Sequence, residues 1–477
     1  MNMNLTKKKL LSVSAASIMM LGLLAGCTQD GDPSNTNNGG DVSTNAPSTM
    51  GEEQQSQAEE IKVKDFELEN KELTFLAAWA RNPAAGKNKD VALELFQTRF
   101  GGKINDVIVK DDERFTTLAS MVSTGQSPDF FSAGDMDAFP RGATAKMFAP
   151  LDDIIDFNDE WFGSKKEFND PFIFNGKHYA AVIGPEIDAL VVYNQSIIEE
   201  NNLSDPAQLL KENKWDWDNF YTMMTDFCSK GEDRHGVDGW WVAKGLSNSS
   251  GVPFIGMEDG KVVNNVRNAS IEKAQLLLEK LFNENLAYPL ASNEHGEWQS
   301  WPKDVGEGKT LFYIAGYWAM TEVNTEYGLA NYGDIKDVRF IPVPCEPGYD
   351  KISIPARVNG YMLCAGAPNP QGFAALMYCE AAASDSDAAE QITKDQYFNE
   401  YGWTDEMWEM RNTMFKMVRE NPVYDFMSGV SADCYDALNN PSKDSFHSGA
   451  SWVQTRETIY DRVQLEVDNI NKAAEEG

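Results

Sequence analysis

The sequence predicts an α/β protein of at least two domains, and three observations carry that reading. The chain has 477 residues, more than one hydrophobic core usually serves. Between Leu73 and Phe131 its apolar pattern alternates strand, helix, strand, helix and strand. Such alternation implies a largely parallel sheet with helices on its faces. Third, Gly176–Asn194 (GKHYAAVIGPEIDALVVYN) holds two β-rich runs, His178–Ile183 and Ala189–Tyr193, split by Gly184-Pro185. Pro removes a backbone donor and Gly frees φ, so a regular ladder is not expected to run through the split. A chain leaving one sheet for another fits this pattern. A hairpin, or a strand–loop–strand inside one domain, fits it equally.

Composition narrows the partners. Hydrophobic residues make up 42% of the chain and there are 12 Trp, which suits a globular body with large cores. The formal charge is −33, so phosphate backbones and anionic membrane surfaces would be repelled. After the first 30 residues no apolar run reaches the roughly 20 residues needed to span a bilayer.

The N-terminus reads as an export signal. Lys7-Lys8-Lys9 precedes an apolar run from Leu10 to Leu24, a positive start and a short apolar core. The ending Leu23-Leu24-Ala25-Gly26-Cys27 resembles a bacterial lipobox, which implies a diacylglycerol on the Cys27 thiol. An ordinary signal peptide that happens to contain a Cys is the alternative. The polar Thr28-Gln29-Asp30 that follows at once favours lipidation. Residues 28–70 are Ser, Asn, Gly, Gln and acid with few apolar residues. They are expected to form a disordered linker, since they cannot bury enough surface to offset ordering entropy. Beyond Cys27, five cysteines remain: Cys228, Cys345, Cys364, Cys379 and Cys434. None has metal-ligand spacing and an odd number cannot all pair. Buried free thiols are expected, with a single disulfide left open.

The body follows in order. Leu73–Ala80 is a first strand leading into Arg81-Asn82-Pro83. Val91–Phe100 is a helix stopped by Gly101-Gly102. Ile104–Val109 is a second strand, Arg114–Ser123 a second helix, and Phe130-Phe131 a third strand leading to Ser132-Ala133-Gly134-Asp135. Further helices are expected at Gln195–Asn202, Ile271–Phe282 and Gln371–Ala383, and strands at Leu311–Gly316 and Val338–Pro344. Pro342, Pro344, Pro347 and Gly348 make a stiff connection that reads as a second crossing. The tail from Gln391 is helical and aromatic.

Several phrases, taken in order, resemble one family. GKHYAAVIGP followed by ALVVYNQSIIEENNL is similar to the crossing segment of bacterial extracellular solute-binding proteins of the maltose-binding-protein type. TLASMVSTGQSPDFF, FAPLDDII, WDWDNF, EGKTLFYIAGYW, RVNGYML and SGASWVQTRETIYDRVQLEVDNINKA match further phrases of that family. The resemblance implies a two-lobe periplasmic-binding-protein-like fold (type II). Each lobe would be a mainly parallel sheet flanked by helices, joined by hinge segments. Residues 1–27 would be a lipoprotein signal peptide, and 28–70 the disordered linker. Lobe I would hold 71–183 plus 346–395, and lobe II 184–345 plus 396–477. The implied function is the substrate-binding component of an ABC importer, lipid-anchored on the extracytoplasmic face of the cell membrane. It would be a monomer that binds a sugar or oligosaccharide between the lobes and delivers it to permease subunits. No cofactor, metal or nucleic acid is implied.

Ligands of open α/β sheets sit outside the carboxyl ends of strands. That rule selects Trp79, Arg81 and Asn82 after the first strand and Asp135 after the third, although Trp79 could be core and Asp135 a helix cap. Glu186 and Asp188 are the best cleft carboxylates, at the suspected hinge. Adjacent Trp240 and Trp241 would point opposite ways in a strand, and Trp241 is taken as the ligand-facing one. Trp318 follows the LFYIAG run, and the family resemblance implies that it stacks on a sugar ring. A flat electron-rich ring suits the apolar, slightly positive C–H face of a sugar. Arg357 and Asn359 could hydrogen-bond a ligand, although Asn359-Gly360 is also turn chemistry. The resemblance makes Trp452 a further candidate, against plain packing of a terminal helix.

Other functions weigh less. A receptor for a non-sugar solute or a sensor lipoprotein would use the same fold. A glycoside hydrolase needs two carboxylates across a scissile bond, and none of the common catalytic phrases is present. The four His are not clustered, which disfavours a zinc site or a His-based triad. No enzyme activity is expected.

Overall fold

Strand β1 (Glu72–Ala77), the Val91–Phe100 helix, β2 (Lys103–Ile108), the Arg114–Ser123 helix and β3 (Phe130–Ser132) follow one another as the periodicity predicts. They belong to a computed structural model that describes residues 51–83, 89–288 and 301–476, all within one compact unit. The expected signal peptide, with Cys27, and the tether as far as Met50 lie outside the described residues. The Val91–Phe100 helix starts where the Asp90 carboxylate accepts the Leu93 N–H at 2.8 Å, capping one of the orphan donors of the first turn. It stops at Gly101, whose φ of 67° a side chain would resist. β1 lies between β2 and β3 and runs parallel to both.

The chain continues through a small hairpin of β4 (Ile173–Phe174) and β5 (Lys177–His178) into β6 (Ala181–Ile187) and β7 (Leu190–Asn194). β8 (His235–Asp238) follows, then a hairpin of β9 (Ile255–Glu258) and β10 (Lys261–Asn264). β11 (Thr310–Ala315), β12 (Val338–Pro342), β13 (Ile354–Leu363) and β14 (Pro422–Tyr424) complete the strands. The first sheet has the order β14-β13-β3-β1-β2, with β6 paired to β13; the second has the order β12-β7-β11-β8. The α/β class and the two sheets are as expected. The second sheet, however, is mixed rather than mainly parallel: β8 and β11 are parallel, while β7 runs antiparallel to both β11 and β12.

The crossing between the sheets sits later than the sequence suggested. β6 runs through Gly184-Pro185 without a break, and the register shift falls opposite, between Asn359 and Gly360 of β13. The shift leaves Ile183 of β6 without an opposite residue, so the bulge lies in β6 itself, two residues before Pro185, which still sits opposite Val358. β6 belongs to the first sheet and β7 to the second, so Asp188-Ala189 is the crossing. The proline-rich run after β12 returns the chain to the first sheet at β13.

Three apolar clusters fill the body. One surrounds the second sheet, where Trp215 is buried and its indole N–H donates to the Pro342 carbonyl at 2.7 Å. The others cover the two faces of the first sheet. Residues 396–477 divide between the cores rather than lying wholly with the second sheet. Trp403, Met407, Trp408, Met414 and Val418 join the second-sheet cluster. Trp452, Ile459, Val463, Val467 and Ile470 of the Trp452–Glu476 helix join Leu76 and Phe131 of the first, on one helical stripe.

The tether prediction also ran too far. Residues Glu52–Glu59 form a helix, and Ala58 and Ile61 are buried. Lys64 donates to Asp159 at 3.1 Å and to the Tyr378 hydroxyl at 2.9 Å. The sparse apolar residues of 58–68 are spaced to reach the first-sheet core, which average composition does not register. The five described cysteines are unpaired, four of them buried and Cys228 half-buried. Burial pushes the Cys228 thiol up to about 11 and those of Cys345 and Cys434 to about 12.

Candidate ligand-binding site

The carboxyl ends of strands in both sheets converge on the crossing. After β3, the Ala133 N–H donates to the Gly360 carbonyl of β13 at 2.9 Å. In the second sheet the end of β11 lies beside the start of β7, with Ala315 opposite Leu190, two residues from Asp188. Loops leaving β1, β3 and β11 therefore open onto the crossing strands β6 and β13.

A cavity of about 880 Å³ lies there. Its floor is Ile183–Glu186 of β6 with Asn359 and Tyr361 of β13; Trp79 and Arg81 enter after β1, and Tyr317 after β11. The Asp387–Tyr401 and Asp405–Glu420 helices supply one wall, and Asp90–Ala92 with the segment from Glu380 to Ser386 another.

Trp79 is 43% exposed and leans edge-on against Phe75, with ring centroids 5.0 Å apart. It thus presents a face to the cavity rather than filling the core. The Arg81 side chain is only 8% exposed and bridges two carboxylates, Asp90 and Glu380, the latter at 2.5 Å. Burial works against its charge, but Asp90 and Glu380 hold Arg81 well above its ordinary value. Burial pushes Glu380 up, against the pull of Arg81. Asn82 does not border the cavity. It is buried and donates to Asp106 at 2.6 Å and to the Ile104 carbonyl at 2.9 Å, which ties the loop after β1 to β2. That is a correction to its reading as a ligand contact.

The remaining polar candidates are paired across the crossing. Glu186 meets Arg357 at 3.1 Å, and Asp188 meets Lys244 at 2.7 Å. Burial opposes the Arg357 charge, yet Glu186, Asp188 and Asp135 raise it, so these groups share one field. Asn359 lies within β13, not in a turn. Asp135 caps no helix; it accepts from Arg114 at 2.6 Å, beside Asp137, which accepts from the same guanidinium at 2.7 Å.

Asp137 carries a testable pH signature. Burial pushes its carboxyl up to about 6, with Arg114 only partly offsetting this. A raised acid holds its proton more readily in the folded state. Its effect is absent below the unfolded value near 4, and stability falls as pH rises toward 6. Asp137→Asn is therefore expected to match the parent near pH 4 and to gain on it by about 2 kcal/mol above pH 6. Melting curves across that range check this. A difference that is flat with pH, or that favours the parent at neutral pH, would refute it.

The aromatic candidates separate. Trp241 and Trp318 pack on each other edge-to-face at 6.0 Å and 63°, so they are not parallel plates. Trp318 folds back over Gly316, and Tyr317, not Trp318, borders the cavity. Trp452 is 0% exposed and packs against Phe254 at 5.5 Å; it is a core residue, and its reading as a ligand contact is corrected. Sequence reasoning missed Glu380, Tyr317 and Tyr361. Glu380 had a signal: it is the single charge in the apolar helix Pro370–Ser384, and a buried charge requires a partner. Among the described residues no group of His, Cys, Asp or Glu is arranged to hold a metal ion, and no helix is long and apolar enough to cross a membrane.

Residues 92–399 match a family described as "Bacterial extracellular solute-binding protein". No curated protein sequence gives a significant match. Among solved structures, a cyclo/maltodextrin-binding protein complexed with maltotetraose is 16% identical, with a TM-score of 0.56, covering 84% of this chain and 99% of its own. An ABC substrate-binding protein from Listeria monocytogenes in complex with cycloalternan is 14% identical, with a TM-score of 0.57, covering 84% and 98%. The GacH receptor of Streptomyces glaucescens, solved unliganded and with acarbose, is 14% identical, with a TM-score of 0.55, covering 83% and 98%. At these identities the likeness is one of fold, the two-lobe receptor fold.

Proposed function

From the premise that the chain belongs to the bacterial extracellular solute-binding proteins, we propose that it binds a sugar or oligosaccharide in the cavity over β6 and β13 and hands it to an ABC permease. The observation that carries this is a cavity of about 880 Å³ at the strand ends of both sheets, bordered by an exposed indole and by carboxylate, guanidinium and amide groups. Trp79 offers an apolar face for sugar C–H groups. Glu186, Asn359 and the Arg81–Glu380 pair supply acceptors and donors for hydroxyls. Asp135, Asp188 and Arg357 do not border the cavity; Arg357 acts on it through its contact with Glu186. The structures of similar fold supply the substrate class, since they were solved with maltotetraose, cycloalternan and acarbose.

In this reading the ligand docks on one lobe, the two crossings bend, and the other lobe closes over it. Closure follows only if the closed form makes additional contacts with the ligand. A diacylglycerol on Cys27 holds the monomer at the outer membrane face, where two chains suffice for stable anchoring. The protein carries no catalytic step.

The test is a thermal-shift screen of the purified protein against neutral and charged oligosaccharides, because a ligand of the folded state raises the melting point by mass action. At least one glycan is expected to stabilise the protein without being hydrolysed. Trp79→Ala should weaken that glycan about tenfold while leaving the unliganded melting point within about 2 °C, since the ring is largely exposed. Stabilisation by amino acids, peptides or polyamines alone would overturn the carbohydrate reading.

A further inference from the structure

The helix Asp405–Glu420 brings three cations to the cavity: Arg411, Lys416 and Arg419. Among the described residues none of the three forms an ion pair; Arg411 donates to the Asn412 side-chain oxygen at 2.8 Å and lies beside the buried Tyr317 hydroxyl. The acids of the lining do not serve them. Asp90 and Glu380 are taken by Arg81, Glu186 by Arg357, and Asp385 by Lys165 at 2.6 Å. Asp387 and Glu390 stand in the first turn of the Asp387–Tyr401 helix, where the peptide dipoles already favour negative charge.

Arg411 is also held ready. Its guanidinium lies 4.5 Å from the ring centroids of both Trp408 and Phe415, and 5.8 Å from Tyr397. Its Nε is buried without a hydrogen-bond partner. Aromatic packing fixes the guanidinium plane at little entropic cost and leaves its N–H edge for an anion, the fork geometry that carboxylate and sulfate oxygens match. Arg419 lies two turns further along the same helix face, at the mouth with Lys416. The chain as a whole is strongly acidic and would repel an anion, so a patch of uncompensated cations matters at close range, within the roughly 10 Å that salt leaves unscreened.

We infer that the carbohydrate taken by this cavity is an acidic one, bearing a carboxylate or sulfate ester that seats on Arg411, with Arg419 and Lys416 completing the anion site. This rests on the carbohydrate reading above and narrows its substrate class.

The experiment is a titration of the purified protein with matched oligosaccharides: neutral, uronate, methyl-esterified uronate and sulfated. The tightest ligand is expected to be charged, to bind at least about tenfold tighter than its neutral counterpart, and to weaken as salt rises from about 0.05 to about 0.5 M. Comparison of the uronate and sulfated series identifies which anion is used. Arg411→Gln is expected to shrink the acidic-to-neutral affinity ratio at least about fivefold. Arg419→Gln, at an exposed position that does not bear on folding, should shrink it in the same direction. A neutral oligosaccharide as the tightest ligand, or a ratio unchanged in Arg419→Gln, overturns the anion site while leaving the carbohydrate receptor standing. Binding of no oligosaccharide overturns the broader reading as well.

Discussion

Replacing Arg81 with alanine is expected to lower the unfolding free energy by about 3–5 kcal/mol. Removing one partner of a buried ion pair leaves the other charge uncompensated, and here two carboxylates would be left together. Asp90 and Glu380 both face Arg81, and the Glu380 side chain is only 9% exposed. Glu380→Gln should cost much less, because burial already pushes that carboxyl toward its neutral form and the amide still accepts. The double variant Arg81→Ala with Glu380→Gln should recover about 0.5–3 kcal/mol relative to the sum of the single changes, as contacting residues couple. Urea unfolding of the four proteins measures the cycle. A loss below about 1 kcal/mol for Arg81→Ala would mean that the triad behaves as an exposed surface pair.

Trp452→Ala should be nearly as damaging, at about 3–5 kcal/mol. The indole is fully buried against Phe254 and lies in the cluster that joins the terminal helix to Leu76 and Phe131. Truncation leaves a void that the β9–β10 hairpin and the terminal helix cannot both close. Trp79→Ala is the contrasting case, a small change in stability with a large change in ligand affinity. If Trp452→Ala kept full stability but lost glycan binding, the two residues would have been assigned the wrong way round.

The contrast between these tryptophans shows what the sequence could reveal. Trp79 ends an apolar strand and Trp452 opens a helix after Ser448-Gly449-Ala450-Ser451, and local pattern alone gave each two readings. Which ring is exposed is decided by what packs across from it, Phe75 beside Trp79 and Phe254 over Trp452. The β-α-β-α-β unit was legible because its signals are local: period, Asp90 before the helix, Gly101 after it. Pro185 misled for the opposite reason. Whether the strand continues past it is decided by pairing with β13, far along the chain, where Val358 lies opposite Pro185. The Arg81–Glu380 pair joins residues 299 positions apart, so no window could propose it, although a lone acid in an apolar helix announced that some partner was needed. The order of family phrases located the crossing region, but not the residue at which the chain changes sheets.

The most direct test of the central claim is a crystal structure of the protein with its tightest-binding glycan. The account predicts sugar density in the cavity over β6 and β13, with one ring against the Trp79 face and hydroxyls within hydrogen-bond reach of Glu186 or Asn359. Sugar bound elsewhere on the surface, with that cavity left to solvent, would contradict it.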